Sequence, residues 1–89
     1  MTTPFVLSDD TRLLLSQLAE TLEARRPGAE MREDIRLARA LVLAEELYGE
    51  TDKAFTAEQD LLAAAPPVGH QTRGEYAALL RLIARGVTQ

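Results

Sequence analysis

The stretch that most constrains the fold is Met31 to Tyr48, MREDIRLARALVLAEELY, whose apolar residues surround the helix axis from Leu37 onward. A helix that is apolar on nearly every side has to be wrapped by neighbours. We therefore expect it to be the central post of a small all-helical bundle. On a wheel of about 3.6 residues per turn, Met31, Ile35, Ala38 and Val42 form one apolar strip. Leu37, Leu41, Ala44 and Tyr48 form a second, and Leu43 and Leu47 fall on a third side.

The flanking segments read as further helices. Ser8 is an N-cap for a helix whose first turn carries Asp9 and Asp10, where carboxylates suit the dipole. Leu14, Leu15, Leu18 and Leu22 draw one apolar stripe on it, and Arg25 and Arg26 finish it ahead of Pro27-Gly28. A short loop then returns the second helix antiparallel beside the first. Gly49 sits where a left-handed C-cap belongs.

For the third helix two starts compete: a capping box at Thr56–Gln59, or a longer helix capped by Thr51 or Asp52. The longer one is preferred, because Ala54, Ala57, Glu58, Leu61 and Ala65 keep helical phase. Pro66-Pro67 stops it in either case. Thr72-Arg-Gly-Glu75 is another capping box, and Tyr76, Leu79, Leu80, Leu82, Ile83 and Val87 follow with helical period. The fold class expected is all-α: a small antiparallel bundle of three to four helices over residues 9–26, 30–48, 52–64 and 73–85. Residues 1–89 form a single domain, with 1–7 as a loose leader from which Phe5 and Leu7 pack back.

Composition narrows the function classes. At 89 residues the chain has material for one core, and such a small core leaves a lone monomer marginal. There is no cysteine, so no disulfide, thiolate ligand or thiol nucleophile. MTTPFVLSDD has no basic, apolar signal pattern, and no apolar run is long enough to span a bilayer, which makes the cytoplasm the default. A net charge of −4 argues against salt-driven attraction to nucleic acid or anionic lipid. Four scattered aromatics provide no stacking platform for bases.

Catalytic and metal chemistry find little to use. The single histidine, His70, lies in a loop, and no HExxH or ExxH spacing occurs. Adjacent Glu45 and Glu46 point apart on a helix and make no acid–base pair. No cofactor and no metal is expected. A helix-turn-helix is disfavoured by the long loop before the last helix and by Glu75 near its start.

Two surface features remain. Leu37, Leu41, Val42, Leu43 and Leu47 exceed what a hairpin layer can bury, and surplus apolar surface marks an interface. They are the candidate contact of an isologous homodimer with the second helix near its axis. Arg32, Arg36 and Arg39 share one face at helical spacing, and Arg25 and Arg26 join them at the same end. Guanidinium forks bind phosphate or carboxylate bidentately, so these five form a candidate patch for an anion or a partner.

The leading expectation is a non-enzymatic interaction or scaffold module that self-associates through its apolar helix surface. The alternative is a small regulatory protein, antitoxin-like or transcription-linked, using the arginines on an anionic partner. A third reading is a small dimeric helical enzyme of the chorismate-mutase kind, with arginines stabilising a transition state inside the bundle. That third reading requires Arg36 or Arg39 to point into a cavity.

Overall fold

The computed structural model of the protein describes residues 7–86. It is all-helical, with α1 at Asp9–Ala24, α2 at Glu33–Tyr48, α3 at Asp52–Ala64 and α4 at Arg73–Ala84. Local chemistry sets most of these boundaries. Ser8 Oγ accepts from the Thr11 amide, and Thr51 Oγ1 accepts from that of Ala54, which selects the longer third helix. At α4 the capping box closes both ways: Glu75 N–H donates to Thr72 Oγ1, and Thr72 N–H donates to Glu75 Oε1. Gly49 ends α2 at φ 71°, a left-handed conformation that glycine adopts without steric cost.

α4 ends at Ala84, one residue short of the expected 85, and two boundaries differ by more, for one shared reason. α1 stops at Ala24 rather than residue 26, and α2 starts at Glu33 rather than residue 30. The chain between them is pulled out along the entry to α4. Gly74 N–H donates to Pro27 O, Arg73 N–H to Ala29 O, and Met31 N–H to Gln71 O. Glu30 and Thr72 thereby form an isolated antiparallel bridge. Gly74 suits this crossing, since a Cβ there would stand 3.3 Å from the Pro27 carbonyl oxygen, closer than most such contacts.

That longer connection also changes the packing. α1 packs most extensively on α4 and α2 on α3, while α1 also touches α2 and α3. The central post is therefore α1, not α2. Leu14, Leu15, Leu18, Ala19 and Leu22 of α1 are buried, and Met31, Leu61, Tyr76, Ala77 and Leu80 close around them. From α2 the core receives mainly the small Ala40 and Ala44, with Leu43. Alanines let backbones approach closely and leave the longer side chains of α2 turned outward. The helices form a slab of 36 × 35 × 17 Å. With packed helices about 8–10 Å apart, such a slab is two layers thick, so peripheral helices keep a wet face.

Leu7 packs against the core edge, whereas Phe5, the rest of the leader and Val87 lie outside the described residues. Among the described residues no helix is long and apolar enough to cross a membrane.

Candidate interaction surface

The five apolar candidates on α2 divide. Leu43 is a core residue, 8% exposed, and is withdrawn from the interface set because it faces α1. Leu37, Leu41, Val42 and Leu47 are between 43% and 45% exposed. They do not form one stripe. At about 100° per residue, Leu41 and Val42 stand a little over a quarter turn apart, while Leu47 follows Ala40 by two turns and lies in phase with the buried strip, exposed only because it is near the end of the helix.

Two grooves flank α2. One runs between α1 and α2, about 600 Å³ in volume, with Leu43 and Leu47 beside Gln17, Glu20 and Thr21. The other, about 410 Å³, runs between α2 and the start of α3 and has Leu41 and Phe55 on its walls. Phe55 is 63% exposed, a role that the residue pattern did not single out. Its signal was positional: Ala54 and Leu61 hold the inward phase of α3, so the next residue after Ala54 has to turn away.

The five arginines also part company. Arg36 is buried and faces inward, so it is withdrawn from the anion patch. Its Nε and Nη2 donate to Ala65 O, Nη2 also to Leu62 O, and Nη1 to the Glu33 carboxylate. These acceptors are carbonyls that the end of α3 leaves without intrahelical partners. Glu33 in turn accepts from the Val68 amide, which fastens the loop after Pro66-Pro67. Among the described residues, Arg36 lines neither of the two grooves beside α2. Arg32 is exposed but forms a bidentate pair with Asp34, its Nη2 lying 3.1 Å from Oδ2. Arg39 is partly buried, and Arg25 and Arg26 are exposed beyond the end of α1. Arg26 takes a positive φ of 53°, uncommon for a side-chain-bearing residue.

The electrostatics of the surface are uneven. Arg81 of α4 pairs with Glu23 of α1, and this hydrogen bond holds the Glu23 carboxyl below its ordinary value. Around the α2–α3 groove, by contrast, Glu45, Glu50, Asp52 and Glu58 make no ion pair among the described residues. The lysine next to them, Lys53, lies over the Tyr48 ring at 4.7 Å, a cation–π contact. Among the described residues no three acidic or histidine side chains converge to hold a metal ion. His70 is exposed in its loop. No family model, no curated protein and no solved structure matches the chain.

Proposed function

We propose that this protein is a non-enzymatic interaction module that self-associates along the outer side of α2, in the cytoplasm. The observation that carries the reading is the 43% exposure of Val42, beside the exposed Ala38, on the outward side of α2. An apolar side chain held outward beside a small residue gives a second helix a place to pack closely. An isologous pair centred on Val42 would run the two α2 helices antiparallel. Arg39 and Glu46, two turns apart on the same side, then face each other's counterparts across the axis. The small, exposed Ala38 lets the second backbone come close.

Sedimentation equilibrium at tens of micromolar tests it. The wild-type chain is expected to be dimeric, and Val42→Glu monomeric with the melting temperature that the wild type shows when diluted to monomer. A monomeric, non-aggregating wild type removes the self-association. The regulatory reading retains Arg25 and Arg26, both exposed, as its anchor; Arg32 and Arg36 already hold Asp34 and Glu33.

A further inference from the structure

We propose that the groove between α2 and α3 is a docking site for a cationic amphipathic helix of a partner protein, distinct from the side of α2 that meets a second copy. This rests on the reading of the protein as an interaction module and assigns chemistry to one part of its surface.

The groove has two large apolar walls, Leu41 from α2 and Phe55 from α3. Both are exposed for residues of their type, and Phe55 is the most exposed large apolar side chain among the described residues. Its rim is one-signed: Glu45 on α2, Glu50 in the turn, and Asp52 and Glu58 on α3. Elsewhere Arg32, Arg36 and Arg81 pair with carboxylates of this chain, but these four carboxylates have no such pair among the described residues.

A second copy placed here symmetrically would set each acidic rim against its own image. Like-charge juxtaposition of that kind selects against the contact. Leu41 also lies about 100° around α2 from Val42, so a dimer centred on Val42 leaves the groove's walls accessible. A metal ion is the wrong occupant too, because the carboxylates surround the groove without converging. Spaced carboxylates flanking an apolar slot instead match a helix with one apolar anchor row and basic residues on both sides. Seating an amphipathic helix in a hydrophobic groove is a standard mode of peptide recognition.

The test uses an acetylated, amidated Leu/Lys peptide of about five helical turns, titrated into the ¹⁵N-labelled full-length protein. Amide shifts are expected to concentrate at Leu41, Thr51 and Phe55. Replacing the rim carboxylates together (E45Q, E50Q, D52N, E58Q) should weaken binding about tenfold or more, as several exposed charge pairs are lost at once. Phe55→Ala should weaken it comparably without altering the melting temperature. A matched set of exposed acids elsewhere (D10N, E20Q, E30Q, D60N) makes the same change in net charge and should have a much smaller effect. Equal weakening by both sets, shifts spread over the whole acidic surface, equal binding of a Leu/Glu peptide, or no binding at all overturns the proposal. Sedimentation of the same samples separates the two ideas. Loss of peptide binding in an intact dimer overturns only the groove, and peptide binding by a monomeric wild type overturns only the self-association.

Discussion

The guanidinium of Arg36 is hydrogen-bonded twice to the carbonyl of Ala65, through Nε at 3.1 Å and Nη2 at 2.8 Å. A positive group thereby sits on the C-terminal end of α3, where unpaired carbonyls concentrate partial negative charge. Because the site is buried, removing the fork strands acceptors that water cannot easily reach. Arg36→Met is expected to destabilise the fold by about 2–4 kcal/mol, measured by urea unfolding. Lysine should recover only part of this loss, since an ammonium cannot reach Leu62, Ala65 and Glu33 with one planar fork. A lysine variant as stable as wild type would show that charge, not geometry, holds the joint.

Tyr76 gives the fold an alkaline limit. Its ring is fully buried, and its hydroxyl donates to the Pro66 carbonyl at 2.5 Å. Burial pushes its phenol above the ordinary value of 10.0, with the charge of nearby Arg36 opposing that rise. The sign of the linkage follows. Between the unfolded and folded values the unfolded chain releases a proton that the folded chain keeps, so unfolding gains. Stability from this group is complete below pH 10.0 and declines as pH rises from there through the raised folded value. Tyr76→Phe should cost about 1 kcal/mol at neutral pH through the lost hydrogen bond, yet show a shallower decline in alkali. Parallel alkaline profiles for the two proteins would contradict this.

What could be read from the residues follows how local the deciding force is. The caps at Ser8 and Thr72–Glu75 were legible because each is settled within four residues, whereas Thr51 competed with Asp52 and with a capping box at Thr56. The buried stripe of α1 was legible because its leucines point one way and no other set competes. α2 offered several apolar strips, and nothing within Met31–Tyr48 says which of them meets a neighbour. Tertiary packing chose Ala40, Leu43 and Ala44, leaving Leu37 and Leu41 outside. Arg36 was misread as surface because its acceptors are backbone carbonyls nearly thirty positions away, which no side-chain pattern encodes. The pairing of residues 27–31 with 71–74 was hidden for the same reason, and with it the true ends of α1 and α2.

Charge reversal on the arginines separates scaffold from regulator. Arg25 and Arg26 are exposed, and the guanidinium of neither is hydrogen-bonded or ion-paired among the described residues. Arg25→Glu with Arg26→Glu is therefore expected to leave the melting temperature within about 2 °C, as surface substitutions away from special features cost little. Should that variant lose a native anionic partner while keeping its stability, the regulatory reading gains and the pure scaffold loses. Arg36→Glu cannot serve in this experiment, because it would unfold the α2–α3 joint and mimic a loss of binding.

Neighbouring positions on α2 should respond oppositely to the same kind of change. Leu43 is 8% exposed and packs in the core, so Leu43→Ala removes buried methyl groups and leaves a cavity. A loss of about 2–4 kcal/mol is expected, towards the lower part of the range for leucine truncation because the site lies at the core's edge. Leu41 and Val42 are each 43% exposed. Replacing either with serine should change monomer stability by less than about 1 kcal/mol. Their effect should appear instead in association: Val42→Ser weakens the dimer, whereas Leu41→Ser weakens capture of a basic helix by the α2–α3 groove. Chemical unfolding at low concentration, where only monomer is present, isolates the first effect from the second. If Val42→Ser and Leu43→Ala prove equally destabilising there, α2 faces its neighbours differently from the packing described, and the division of its surface fails with it.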